Sequence, residues 1–342
     1  MEINPVKISS NFLLKIFLEQ ELFRIRTYLK LGRLRGREKK QSRSSHAEDT
    51  EFYITKSLEV REKLVFGPWM GELGFEVLYW SPLVNHFARK GDFALSRGGI
   101  SLLYPKLTYV EILDCIDKFR WDETQKKRKL ILGGEKQRKW LASEFLLLKK
   151  LLRGREHLKF RIFHPSNLFN LYSFNSKIES TFQKKLLKEF CKDISCLKVE
   201  YEKIVKIDSQ KCLIATYSRE GLSNDDIKEF LKSEKLSNLV ENYEVVNLKD
   251  LNHDLSHQFV TLEEKVSKSS FQFGNNLERK IIEILESRIV ITTDGGLAYL
   301  SLLLGRDTYA LRGFRNYWSE YHSEMADYLS KINGCKYQII QV

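Results

Sequence analysis

The sequence predicts an α/β protein with two α/β domains in tandem and a cleft between them. Short apolar runs at residues 64–66, 212–216 and 288–292 each give way to a glycine-bearing turn and then to a segment of helical length. One such unit stands near residue 65 and a second series runs from about residue 207 to 313, with no internal repeat relating them. A chain of 342 residues is long enough for two separate cores. The expected divisions are a basic amphipathic helix and linker over 1–50, a first domain over 51–205 and a second over 206–342.

Residues 11–31 carry Leu14, Phe17, Leu18, Leu22, Ile25, Tyr28 and Leu29 at helical spacing, with Arg24, Arg26, Lys30, Arg33, Arg35 and Arg37 on and beyond them. Two readings fit. One is an amphipathic helix resting on anionic lipid; the other is a helix packed on its own domain or on a partner. Residues 36–50 are polar and read as a linker. The first domain opens with a strand at Leu64–Phe66, a loop containing Gly67, Gly71 and Gly74, a helix up to Lys90, and a strand at Asp92–Ser96 ending in Arg97-Gly98-Gly99. A turn at Leu102–Pro105 and a further apolar element over Tyr109–Ile116 follow. Residues 126–161 are Lys/Arg-rich with a basic helix in their second half. A strand at Phe160–Phe163 runs into His164-Pro165-Ser166, and residues 177–192 have helical composition.

In the second domain, Lys211–Tyr217 is expected as a strand stopping at Ser218-Arg219-Glu220-Gly221. Ser223-Asn224-Asp225-Asp226 reads as an N-cap cluster opening a helix to Lys232. Tyr243–Leu248 is a short strand and Leu277–Ser287 an amphipathic helix. A buried strand at Arg288–Thr292, the turn Thr293-Asp294-Gly295-Gly296, a helix over Leu297–Leu304 stopped by Gly305, and a strand from Asp307 to Leu311 ending in Arg312-Gly313 complete the series.

Composition excludes several classes. With 42% hydrophobic and 12% aromatic residues the chain is a folded protein and not a disordered one. Five cysteines without paired spacing give neither a disulfide framework nor a zinc site and fit a reducing, cytoplasmic setting. No secretory leader and no run of membrane-spanning length is read. The net charge of +12 is localised: residues 15–43 hold ten Lys or Arg against three Glu, and residues 126–161 hold thirteen against three. The rest of the chain is slightly acidic, so two basic surfaces are expected.

The Asp294-Gly295-Gly296 turn places backbone N–H groups at a helix start beside glycines that permit close approach, as a phosphate or diphosphate requires. Asp294 itself would cap the helix or orient a sugar hydroxyl or a base. Arg219, Arg312 and Arg315 follow strand ends, where a cation neutralises a diphosphate. Near the N-terminal loop, Glu72 and Glu76 lie four apart, on one face of a helix beside Trp69 and Trp80, and both are candidate general bases. The dipole of a helix start accounts for one such carboxylate without any chemistry. Gly71, Gly74, Arg97, Gly98 and His164 line the same expected cleft. No Gly-x-x-x-x-Gly-Lys-Ser/Thr, Gly-x-Ser-x-Gly, His-Glu-x-x-His or Gly-x-Gly-x-x-Gly is present. No Asp-x-Asp occurs either, and metal-independent chemistry without a cofactor is expected.

These stretches together resemble a GT-B-type glycosyltransferase, in which two Rossmann-like domains face a cleft, the first binding acceptor and the second nucleotide-sugar. Thr292 to Leu300, then Gly305 and Tyr309-Ala310-Leu311-Arg312-Gly313, is similar to the donor-side segment of heptosyltransferase-like enzymes, with Gly295 where those carry Ser. Those enzymes place a basic Asp after a Gly and six residues before a Pro. Here Glu76 lies six before Pro82 with Phe75 in the Gly position, whereas Glu72 follows Gly71 at a different proline spacing. The Gly-Pro-Trp-x-Gly-Glu-x-Gly-x-Glu string, with Ser96-Arg97-Gly98-Gly99 and His164-Pro165-Ser166, also resembles bacterial polysaccharide-locus transferases.

The resemblance implies sugar transfer from a nucleotide-sugar donor to a saccharide or lipid-linked acceptor. A carboxylate would activate the acceptor hydroxyl, and the enzyme would be cytoplasmic and peripheral on the inner face of an anionic membrane. The rival readings are a GT-B-like protein that binds sugars or nucleotides without turnover, and a nucleic-acid-binding protein motivated by the pI of 9.3. The latter lacks any recognised binding motif.

Overall fold

The computed structural model describes residues 63–69, 71, 73–96, 99–111, 148, 160–171, 177–204, 208–218, 221–248, 276–313 and 320–342. The expected N-terminal helix and linker (1–50) and most of the basic segment 126–161 lie outside the described residues. The chain is α/β with parallel-strand sheets. It divides into two compact units that interleave along the sequence. The first comprises residues 1–70, 87–96 and 106–182, and the second 71–86, 97–105 and 183–342. The expected boundary at 205/206 falls inside the second unit, and residues 71–86, read as the first domain's opening helix, group with that unit too.

In the first unit, β1 (Lys63–Phe66), β2 (Phe93–Ser96), β3 (Thr108–Glu111) and β4 (Phe160–Phe163) form a sheet of order β3-β2-β1-β4, parallel throughout. β1 buries Leu64, Val65 and Phe66 in succession, the continuous apolar run of a strand covered on both faces. Asp92, itself fully buried, fastens the edge of this sheet. Its Oδ1 accepts from Leu64 N at 2.9 Å and its Oδ2 from Arg89 N at 2.9 Å. The strand order reverses between β1 and β4, and Gly67 N donates to Phe163 O at 3.0 Å across that point. Gly67 must be glycine: its φ is +121°, and a Cβ there would lie 2.4 Å from Leu95 O.

Helix α1 follows β1 in the chain as a turn at Leu73–Phe75, a π segment at Glu76–Trp80 and an α segment at Ser81–Phe87. After β4 comes α2 (Pro165–Leu171), an addition to the elements expected from sequence, with Pro165 at its first position, where proline is favoured. Helix α3 (Lys177–Ile204) runs twelve residues beyond the expected end at 192. Phe190, Ile194, Leu197, Tyr201 and Ile204 recur at alternating spacings of four and three, which continues one apolar face.

The second unit holds a five-stranded parallel sheet. Its strands are β5 (Asp208–Ala215), β6 (Glu244–Asn247), β7 (Ser287–Thr293), β8 (Asp307–Arg312) and β9 (Tyr337–Gln341), in the order β6-β5-β7-β8-β9. Numbered within the sheet this is 2-1-3-4-5, a doubly wound order whose ligand position is the carboxyl edge between its first and third strands. Around it lie α4 (Asn224–Leu231), α5 (Glu234–Val240), α6 (Asn276–Glu286), α7 (Gly296–Leu303) and α8 (Glu320–Asn333). The expected N-cap is present: Ser223 and Asp226 form a reciprocal capping box at the start of α4. Helix α7 is buried on every side from Leu297 to Leu303, as its uniformly apolar sequence requires. Helices α5 and α8 and strand β9 are additions to the elements read from sequence.

Candidate functional site

The carboxyl edge of the second sheet gathers three loops. β7 ends in Thr292 and Thr293, whose hydroxyls extend the sheet past its last backbone pairing. Thr292 Oγ1 donates to Ala215 O at 2.7 Å. Thr293 Oγ1 donates to Tyr217 O at 2.6 Å and accepts from Tyr217 N at 2.9 Å. The crevice where the strand order reverses is therefore pinned by side chains. Beyond β8, Gly313 packs directly on the loop after β5, where a Cβ at Gly313 would lie 1.6 Å from Gly221 O. That loop carries Arg219, which lies outside the described residues together with Arg315, Glu72, Arg97 and Gly98.

Asp294 follows β7 and is fully buried. Both of its carboxylate oxygens are engaged. Oδ2 accepts from Arg312 Nε at 2.8 Å and lies 2.7 Å from Arg312 Nη2 in an ion pair, and Oδ1 accepts from Tyr337 Oη at 3.0 Å. Arg312 Nη2 also donates to Ser323 Oγ on α8 at 2.8 Å. Burial alone would lower the Arg312 pKa, but the Asp294 carboxylate outweighs it and holds the guanidinium above its ordinary value. Burial, then the Asp294 charge, pushes the Tyr337 phenol well above its ordinary range, so it remains a donor. The Asp294 carboxylate, expected to cap the helix or to orient a sugar hydroxyl or a base, makes these contacts within the protein. Tyr337 and Ser323 escaped sequence reading, because nothing local links residues 43 and 11 positions from their partners.

The glycines of the two singled-out motifs meet each other. A Cβ on Gly296 would lie 2.8 Å from Leu73 Cβ and 2.9 Å from Gly74 N, and one on Gly74 would lie 3.3 Å from the Tyr299 ring. The start of α7 is therefore packed against the first turn of α1, on the side where a phosphate was expected beside Gly296. Gly295 caps the helix in an extended conformation without a side-chain cap. Gly71 is buried just ahead of that turn.

Glu76, first residue of the π segment, is fully buried, and its Oε1 accepts from Tyr104 Oη at 2.6 Å. A turn further on, Tyr79 Oη pairs with His322 Nδ1, and Phe75 stands edge-on to the His322 ring at 5.1 Å. In the first unit His164 is fully buried at the carboxyl end of β4, beside the reversal of strand order. Its Nδ1 accepts from Ser166 N at 3.0 Å and lies 2.8 Å from Ser166 Oγ. An Nδ1 that accepts a backbone N–H carries no proton, so the neutral ring has its proton on Nε2.

Among the described residues, no three or more His, Cys, Asp or Glu side chains group to hold a metal ion. No helix of the described residues is long and apolar enough to cross a membrane. No protein-family model, curated protein or solved structure matches the chain.

Proposed function

We propose that the protein is a metal-independent GT-B-type glycosyltransferase that moves a sugar from a nucleotide-activated donor to a saccharide or lipid-linked acceptor in surface polysaccharide synthesis. The observation that carries it is the place of Arg312. A partly exposed arginine, ion-paired with Asp294, stands at the carboxyl edge of a 2-1-3-4-5 parallel sheet, one strand beyond the reversal where doubly wound sheets take phosphorylated ligands. Arg219 and the Gly295 backbone would complete the diphosphate site. The acceptor would meet the donor in a cleft faced by two Rossmann-like domains, with His164 of the first unit on its side. Gly71, Gly74, Arg97 and Gly98, expected there too, group with the second unit, where Gly74 packs on the start of α7.

The acceptor oxygen attacks the anomeric carbon, the bond from that carbon to the diphosphate oxygen breaks, and the hydroxyl proton passes to a carboxylate, Glu76 or Glu72. The basic segments 15–43 and 126–161 hold the enzyme on the inner face of an anionic membrane. A second reading, binding of sugars or nucleotides without turnover, is favoured by the enclosure of Glu76 beneath Tyr104.

The deciding measurement is thermal stabilisation of the full chain by a panel of nucleotides and nucleotide-sugars. It is followed by assay of nucleoside diphosphate release with saccharide and lipid-linked acceptors. Stabilisation by one nucleoside diphosphate and its sugar, with acceptor-dependent release, is expected. Stabilisation without release moves the conclusion to the binding protein, and no stabilisation by any member of the panel overturns both.

A further inference from the structure

Arginine has five N–H donors. In Arg312 the Nε–H and the two N–H groups of Nη2 face Asp294 and Ser323. Nη1 makes no hydrogen bond to a described residue, the Tyr337 hydroxyl also lies in hydrogen-bonding contact with the guanidinium, and the side chain keeps 20% of its surface exposed. Arg306 is the contrast: it is 5% exposed and spends its donors on Ile284 O and Leu285 O, a buried arginine that closes a helix end. The residues around Arg312 come from three other elements, namely the end of β7, α8 and the start of β9. They crowd one side of the guanidinium. Asp294 would swing if it were held by Arg312 alone, and Tyr337 fixes its second oxygen.

We propose that Asp294, Tyr337 and Ser323 are positioning residues that hold Arg312 with its Nη1 edge presented to the oxyanion of a bound diphosphate. The identity of that diphosphate as part of a nucleotide rests on the transferase reading; the holding of Arg312 does not. Asp294 supplies the buried counter-charge and touches no ligand. Tyr337 sets the carboxylate plane, and Ser323 fixes the Nη2 corner. Lysine cannot replace Arg312, because a single ammonium cannot satisfy Asp294, Ser323 and an anion in that fork geometry.

The test is calorimetric titration of the full chain with inorganic pyrophosphate, with nucleoside diphosphates and with the corresponding nucleosides. It uses wild type, Tyr337→Phe, Ser323→Ala and Arg312→Lys. Tyr337→Phe keeps the ring and its packing, and should weaken pyrophosphate and nucleoside diphosphate about tenfold, the effect of one lost charge-assisted contact. Nucleoside binding should be unchanged in all three variants, and Arg312→Lys should lose phosphate binding at least as far as Tyr337→Phe does. Equal loss for nucleoside and diphosphate, or no loss for either phosphate compound in Tyr337→Phe and Ser323→Ala, overturns the positioning role. So does a wild type that binds no pyrophosphate and no nucleotide. Pyrophosphate binding that depends on Tyr337, in a protein that binds no nucleotide, leaves the positioning role standing and removes the transferase.

Discussion

Tyr104 donates a 2.6 Å hydrogen bond to Glu76, and both side chains are buried. Glu76 thus has its Oε1 engaged within the protein. Tyr104→Phe removes the donor while keeping the ring. It should cost about 1–3 kcal/mol in urea unfolding, the penalty of depriving a buried polar group of its partner. If Glu76 is the base, Glu76→Gln should abolish sugar transfer with donor affinity kept. Full activity in both Glu76→Gln and Glu72→Gln would remove the general-base role from this stretch.

Gly296→Ala introduces a methyl group where only 2.8 Å separates it from Leu73 Cβ and 2.9 Å from Gly74 N. Backbone cannot yield as a flexible side chain does, so overpacking of about 1–3 kcal/mol is expected. The check is the midpoint of chemical unfolding. A substitution that leaves it unchanged would show that α1 and α7 separate at little cost.

Ser223→Ala breaks the capping box of α4 and should cost about 1 kcal/mol, as the loss of a serine N-cap does. The Ser223 hydroxyl, then its backbone N–H, depresses the Asp226 pKa below its ordinary value. A depressed carboxylate contributes stability that is present above its unfolded pKa of about 3.9 and lost as pH falls through the lower folded value. The difference between wild type and Ser223→Ala should therefore be constant from neutral pH down to about 4 and shrink below it. A difference that persisted unchanged at pH 2 would assign the effect to the hydrogen bond that Ser223 Oγ accepts from Asp226 N, which does not titrate.

Much of the secondary structure was legible because its signals are local. The Ile-Val-Ile run of β7, the Asp-Gly-Gly turn and the Ser223–Asp226 cap each depend on neighbours within four residues. Pro165, Ser233 and the run Tyr337-Gln338-Ile339-Ile340 were further local signals for α2, α5 and β9 that went unused. The site was less legible. Asp294 draws Arg312 from 18 residues away and Tyr337 from 43, and no periodicity carries such pairings. The glycines of the opening loop and of the Asp-Gly-Gly turn looked alike as ligand-facing residues. In the second unit they are the two halves of one close helix contact, which sequence cannot distinguish from room left for a phosphate.

The distance in sequence between Tyr79 and His322, 243 residues, sets a timetable for biosynthesis. At about 5–20 residues per second, α1 leaves the ribosome tens of seconds before the α8 residue that closes over it. Val77, Leu78, Tyr79 and Trp80 are all fully buried in the finished protein, and the contact of Tyr79 with His322 is absent throughout that interval. The Tyr79–His322 pair therefore forms only after synthesis has reached α8, and a slowing of translation beyond α1 lengthens that delay.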